Sequence, residues 1–439
     1  MTPPLAFDLP GLPPEFWALL VRAAAGDRLA LVGGAVRDLL LHRVHRDPWL
    51  GVPDLDLVVE PAPGSATGLA PAHRLARRLR ELVGSENLLR YQEHGAYGTV
   101  ELELALGDSP WLLDIASARR ETYPQAGENP EVRFGSLEDD LARRDFSINA
   151  IALLLDRGGE PPAAVRQEPP GPRLLDPHGG QADLARRQLR LMHGDSLLDD
   201  PSRIVRAARY AARLGFDLAP ESLEQLRRTL AQWPWRWRPG ESPQQVPAAL
   251  GTRLRMELEL LLEREPWPQA LAALQRWQAL PLIDAELQQD RLLRLRLHWA
   301  ERFGVPLLPA LLLGAAQPLA LAERLQLPHR QHRLIAQVLE LDRRLQDWAA
   351  QHRAADRVWA PSRWCALLEA PGLSAEAVAL ALAAGLGPRR PLLRWWGRWR
   401  HLRAGCSAAD LLAAGMVAGP ALGERLRQLR AERLDRERC

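Results

Sequence analysis

The hydrophobic pattern passes once along this 439-residue chain from mixed to single periodicity, and that change limits the fold more than any other feature. Up to about Leu155 two periods alternate. "RLALVGGAVRDLLL" (Arg28 to Leu41) runs from an apolar strand through a Gly-Gly turn into a helix. "DLDLVVE" (Asp54 to Glu60) alternates polar and apolar residues before stopping at Pro61. "HRLARRLREL" reads as a helix, and "GTVELELAL" and "PWLLDIASA" read as two more strands. "DRGGEPPAAVRQEPPGP" then breaks all periodicity, as a loop or insertion does. From about Gln181 onward apolar residues recur at three- and four-residue spacing, with no strand pattern and no fixed repeat. The expected architecture is an α+β unit, entered through a short leader and an amphipathic helix, followed by an array of helices.

Composition narrows the class. Hydrophobic residues at 47% and charged residues at 25% suit a globular chain and exclude a disordered one. No run approaches the ~18 apolar residues of a membrane helix, and the N-terminus carries no basic-then-apolar signal pattern. Cys365, Cys406 and Cys439 are far apart, which excludes a disulfide framework and a cysteine-built zinc site. A cytoplasmic location without membrane contact is expected. All 57 basic residues are arginine, whose guanidinium forks suit phosphates and base stacking. The net charge is only +3, so contact with nucleic acid would come from local patches.

Asp54 and Asp56 lie two apart on the expected strand, so both side chains leave the same face. Two carboxylates held together repel unless a cation lies between them, and Mg²⁺ takes oxygen ligands while keeping positions open for phosphates. An isolated D-x-D is more often a pair of surface acids. The turn upstream changes that balance. Gly33 and Gly34 allow backbone to approach an anion, and the helix that follows offers free N–H groups and a positive dipole end. Arg37 falls on its first turn with Asp38 beside it. Asp114, on a later strand, is a candidate third carboxylate. In "RRDFSINAIAL" an Arg-Arg-Asp run precedes an expected apolar helix, with Arg144, Asp145 and Asn149 suited to a ribose or phosphate. In "LDDPSRIVRAARYAARLGF", Arg203, Arg206 and Arg209 share one helix behind Asp199 and Asp200, combining the donors and acceptors that reading a base edge requires.

These motifs, together with "LLDPHGGQADLARRQLRL", resemble the class II tRNA nucleotidyltransferase and poly(A) polymerase family in order and spacing. "GTRLRMELELLL", with Arg253 and Glu257, and the C-terminal "ADLLAAGMVAGPALGERLRQLRAERLD" are also similar. The resemblance is dense over Arg28 to Phe216 and sparser beyond. It implies a DNA polymerase beta-like head (1–156), a helical neck for base recognition (157–265), and a helical body and tail for tRNA (266–439). By the family's pattern Asp54 and Asp56 would hold Mg²⁺, two ions in all, with Asp114 the candidate third ligand and Asp54, Asp56 and Arg37 catalytic. Gly33, Gly34, Arg37 and Asp38 would meet the triphosphate. Arg144, Asp145 and Asn149 would meet the sugar. Asp199, Asp200 and Arg203 would read the base, with Arg206 and Arg209 supporting them. Asp199 stands where many members have Glu, and Thr252 stands where Glu usually precedes the arginine.

The implied reaction joins C and A residues from CTP and ATP to the 3′ end of tRNA and releases pyrophosphate, with no obligate protein partner. CC-only, A-only and poly(A) addition share every motif above. These variants differ in a segment here matched by "RRETYPQAGENPEVRFG". A catalytically silent RNA-binding protein is the reading from another class. "MHGDS" lacks the adjacent His-Asp of a phosphohydrolase, so no appended hydrolase is expected. "WPWRWR" (Trp233 to Arg238) and "RRPLLRWWGRWR" (Arg389 to Arg400) interleave arginine with tryptophan, as RNA contacts or as core helices do.

Overall fold

The computed structural model describes residues 9–10, 12–52, 54–64, 68–95, 98–106, 109–155, 173–232, 242, 245–352 and 359–436. The loop expected at 156–172 and the Trp233 to Arg238 segment lie outside them. The chain forms two compact units, residues 1–233 with 247–249 and residues 234–246 with 250–439.

The first unit begins with α1 (Pro14–Ala24), β1 (Arg28–Val32), α2 (Gly34–Arg43), β2 (Leu55–Glu60) and α3 (Pro71–Val83). Strands β3 (Leu88–His94), β4 (Thr99–Leu106) and β5 (Ser109–Ser117) follow, then the hairpin β6 (Arg119–Thr122) and β7 (Glu131–Phe134). After α4 (Leu137–Ala142) come β8 (Ala152–Leu154), β9 (Arg173–Leu175), α5 (Gly180–Arg186), β10 (Gln188–Leu189), α6 (Ser196–Asp199), α7 (Arg203–Leu214), β11 (Asp217–Leu218) and α8 (Pro220–Ala231).

Seven strands form one mixed sheet in the order β3-β4-β5-β2-β1-β8-β9. Only β2 and β5 run parallel. Each central strand buries both faces. Leu31 and Leu57 lie on one side, and α3 packs on the sheet through Leu75, Ala76 and Leu79 at helical spacing. Burial of each such leucine contributes about 1.5–3 kcal/mol. On the other side Ala30, Val32 and Val58 meet Leu137 and Leu141 of α4. Because side chains alternate, Asp54 and Asp56 share the face of Val58 and lie just past the edge of this apolar cluster.

Two expectations are corrected. The apolar run after Arg144 is not a helix: a 3₁₀ turn spans Ser147–Asn149, and Ala152–Leu154 pairs with β1 as strand β8. Tertiary pairing wins because Ile151, Ala152 and Leu153 are buried on both faces beside β1. The region beyond Gln181 is not wholly helical, since β10 and β11 form a two-residue parallel pair. Strands β3, β6, β7 and β9 also escaped the sequence reading.

The second unit is helical: α9 (Thr252–Arg264), α10 (Trp267–Arg276), α11 (Leu293–Phe303), α12 (Leu307–Leu312), α13 (Pro318–Arg324), α14 (His329–His352), α15 (Pro361–Leu368), α16 (Ala375–Ala383), α17 (Arg389–Gly397), α18 (Ala408–Ala413) and α19 (Pro420–Arg436). Helix α16, almost entirely Ala, Val and Leu, is buried from Ala377 to Ala383 and packs against α11 and α14. No described helix is long and apolar enough to cross a membrane.

Candidate active site

The parallel pairing of β2 with β5 sets Asp56 directly opposite Asp114, and Asp54 immediately precedes β2. One oxygen from each of the three carboxylates lies within 4.8 Å of the others. Among the described residues no other His, Cys, Asp or Glu group is so arranged. Burial pushes Asp54 and Asp114 above the usual carboxylate range. Asp56 is pushed up to about 6, by burial first and then by its acidic neighbours, against the pull of Arg144. The part of this rise that comes from neighbouring carboxylates is a negative field, which attracts a cation as it attracts a proton. Its all-oxygen donor set fits a hard divalent ion such as Mg²⁺.

Strand β1 ends at Val32, paired with Asp56, and the chain turns at Gly33 with φ 73° and ψ −138°. A Cβ on Gly33 would stand 2.7 Å from Asp56 Oδ2 and 3.3 Å from Arg144 Nη1, so only glycine fits. Helix α2 starts at Gly34, and its first N–H groups have no partner within the helix. Its positive dipole end therefore opens beside the acidic cluster.

Arg37 is buried. Its Nε and Nη2 donate to the Asp38 carboxylate at 2.8 and 2.9 Å, its Nη1 donates to Asn149 Oδ1 at 2.9 Å, and it lies 5.3 Å from the centre of the Tyr210 ring. The guanidinium is thus held under the glycine turn by residues from α2, the 3₁₀ turn and α7. Asn149 in turn donates to Asp145 Oδ1 at 3.0 Å, and Arg206 lies 3.5 Å from the other Asp145 oxygen. Burial would raise the Asp145 pKa, but Arg206, Asn149 and Arg203 together hold it below the ordinary value.

Arg144 reaches Gly33 from the far side, tethered to Asp140 Oδ2 at 3.0 Å. Asp140 also binds Arg143 at 2.7 Å. Fully buried, it holds both arginines at once. On α7, Arg203 donates to Ser196 Oγ at 2.6 Å and to the Arg143 carbonyl at 3.3 Å. Asp200 accepts from the Ser202 backbone and hydroxyl at 3.1 and 2.5 Å. Asp199 lies 3.7 Å from His193, and its carbonyl accepts from Gly127 N–H at 3.2 Å. Arg206 and Arg209 are half-buried on the same helix.

The structure thus brings Gly33, Gly34, Arg37, Asp38, Asp54, Asp56, Asp114, Arg144, Asp145 and Asn149 into one region of the first unit, linked through Arg143 and Arg206 to α7. Arg253 and Glu257 lie on α9 of the second unit. Asp140 and Tyr210 escaped the sequence reading. Asp140 was findable, since it precedes Arg143 and Arg144 by three and four residues, the spacing of helical ion pairs. Tyr210 gave no signal, because its role depends on the packing of α7 against α2.

Carboxylates on adjoining strands beside a glycine turn and a helix N-terminus define a nucleotidyltransferase head. Residues 29–190 match the family described as the poly A polymerase head domain. The chain is 38% identical over 331 residues to a CC-adding tRNA nucleotidyltransferase of Deinococcus radiodurans, covering 72% of each chain. It is 38% identical over 203 residues to an A-adding tRNA nucleotidyltransferase of Aquifex aeolicus, covering 46% of this chain and 20% of that one. Its fold is similar to the Thermotoga maritima CCA-adding enzyme solved in complex with tRNA, with a TM-score of 0.64 at 22% identity over 98% of this chain and 93% of that one. The chain belongs to the tRNA nucleotidyltransferase family.

Proposed function

We propose that this chain adds C and A residues from CTP and ATP to the 3′ end of tRNA, one at a time and without a nucleic-acid template. The observation that carries the reading is the convergence of Asp54, Asp56 and Asp114 within 4.8 Å, next to the Gly33 turn. These carboxylates would hold Mg²⁺, two ions in this reading. Bound there, Mg²⁺ lowers the pKa of the attacking hydroxyl and neutralises charge on the departing pyrophosphate. The chain's own residues align the reactants. The turn at Gly33 and Gly34 and the first N–H groups of α2 hold the triphosphate. Arg37 and Asp38 act at the triphosphate beside that turn, and Arg37 also holds Asn149 of the sugar-reading set Arg144, Asp145 and Asn149. Asp200 and Arg203 pair with the incoming base, with Asp199, Arg206 and Arg209 around them. Alignment and charge stabilisation account for the rate, as in phosphoryl transfer generally.

In this reading residues 1–156 are the head, 157–265 the neck, and 266–439 the body and tail that carry the tRNA, in the cytoplasm and without an obligate protein partner. A second reading, addition of the two C residues alone, is favoured by the 38% identity to the CC-adding relative across 72% of both chains. Three tRNA substrates, ending before CCA, after C and after CC, each incubated with CTP or ATP, separate the readings. Full CCA addition extends all three. CC-only addition stops before the final A, and a long homopolymer marks a poly(A) polymerase. No product with any substrate refutes the activity. Asp54→Ala should abolish addition while leaving tRNA binding in place, and activity within tenfold of wild type would remove the carboxylate assignment.

A further inference from the structure

The arginine- and tryptophan-rich segment of α17 and the 3₁₀ turn Trp399–His401 after it divides its aromatic residues between two environments. Trp395 and Trp399 are buried, and Trp395 Nε1 donates to Glu369 Oε1 at 2.9 Å. Trp396 faces the other way and joins a partly exposed strip with α11. Trp299 stacks on Phe303 with ring centres 5.7 Å apart and planes 25° apart, and His298 meets Trp299 at 5.6 Å. Phe303 meets Trp396 edge-on at 5.7 Å, and the Arg400 guanidinium lies 3.6 Å over the Trp396 ring. Five flat side chains therefore run in sequence across α11, α17 and the 3₁₀ turn Trp399–His401 that follows it, all in one unit.

The strip's charge is one-sided. Residues 389–403 contain six arginines and no acidic residue. The acid nearest the strip in sequence, Glu301, accepts from Trp267 Nε1 at 3.2 Å. Arg400 Nε is spent on His401 Nε2 at 3.0 Å, whereas its two terminal nitrogens have no hydrogen bond or ion pair among the described residues. A half-buried planar cation stacked on tryptophan, in a segment that carries only positive charge, suits a base with phosphates on either side. A protein partner would have to bring acidic residues to match, and a second copy of this chain would meet like charge.

We propose that His298, Trp299, Phe303, Trp396 and Arg400 form a stacking platform for a tRNA base that stands outside the helical stack, with the arginines of residues 389–403 gripping the flanking phosphates. The proposal rests on the tRNA reading above. It places a contact on the body of the substrate, in the second unit, while the carboxylates that act on the 3′ end lie in the first.

The test measures the Kd of full-length protein for labelled tRNA ending before CCA, without nucleotide, across a salt series. Trp396→Ala should weaken binding about tenfold, the order of one lost base stack. Trp396→Phe should retain most of the affinity. Arg400→Ala should weaken binding severalfold and flatten the salt dependence by about one unit of slope. KM for CTP and kcat at saturating tRNA should stay at wild-type values in all three. Unchanged tRNA affinity in Trp396→Ala that melts like wild type overturns the platform. Should Trp396→Ala fail to fold, unchanged affinity in Arg400→Ala does so. A wild-type dimer that Trp396→Ala makes monomeric, with tRNA binding intact, also overturns it in favour of a protein interface. Wild-type protein that neither binds nor extends tRNA removes both proposals, whereas normal extension with unaffected variants removes the platform alone.

Discussion

Replacing Gly33 by alanine perturbs the fold and the site through one methyl group. The backbone there, at φ 73° and ψ −138°, lies in a region that only glycine enters freely. Forcing another residue into such a region costs about 1–3 kcal/mol. The added carbon would also stand 2.7 Å from Asp56 Oδ2, so that oxygen must retreat by roughly 0.7 Å to reach ordinary contact near 3.4 Å. Such a shift opens the carboxylate cluster on the side facing the triphosphate. Misplacement on the order of 1 Å costs about 100-fold in rate. The expected result is a melting temperature roughly 2–12 °C lower, taking about 2–4 °C per kcal/mol for a unit of this size, together with kcat for CTP addition about 100-fold lower. The neighbouring glycine is a built-in control. A Cβ on Gly34 meets only Arg37 Nη2 at 3.5 Å, so Gly34→Ala should melt at or above the wild-type temperature. If that residue approaches the triphosphate, its KM for CTP should still rise. Thermal unfolding and Mg²⁺-dependent incorporation of labelled CTP read both variants. A Gly33→Ala protein with kcat within threefold of wild type and an unchanged melting temperature would refute the reasoning.

Because Asp56 has a folded pKa near 6 against an ordinary value near 4, the metal-free fold binds an extra proton between those limits. Its stability should therefore rise as pH falls from about 7 toward 4, by up to about 3 kcal/mol from this group. Over the same range Mg²⁺ affinity should fall, because proton and cation compete for one carboxylate. Asp56→Asn should stabilise the metal-free protein at pH 8 and remove that pH dependence, which urea unfolding in EDTA measures; a less stable variant would count against the cause given. Arg203→Ala should blur the choice between CTP and ATP more than it raises KM for either, and unchanged selectivity in competition assays would remove its base-reading role. Asp140→Asn should loosen both Arg143 and Arg144, raising KM for nucleotide roughly tenfold, while Asp140→Glu keeps the charge and recovers part of it. Equal kinetics for wild type and Asp140→Asn would show that the buried carboxylate does not position these arginines.

Much of the head was legible because its signals are local. A Gly-Gly turn after an apolar strand, alternation across Asp54 to Glu60, and arginines at three-residue spacing on α7 all depend on neighbours a few residues away. The 3₁₀ turn and strand at Ser147–Leu154 were misread because an apolar run of that length suits a buried helix and a buried strand equally. The pairing of β8 with β1 settled it, and that pairing joins residues more than a hundred positions apart. The tryptophans of α17 were ambiguous for a related reason. Only the packing around Glu369 and Phe303 shows that Trp395 turns inward and Trp396 outward.

The amino-acid order alone determined the fold class and the residue types available for chemistry, since periodicity and turn preference act over short stretches of chain. Tertiary structure decided the rest. The parallel register of β2 and β5 brings Asp114 to Asp56, and the positive φ of Gly33 lets Asp56 and Arg144 close on the turn. The buried Asp140 aims two arginines at separate targets. Each depends on contacts between distant segments, whose geometry is selected only when the whole core packs.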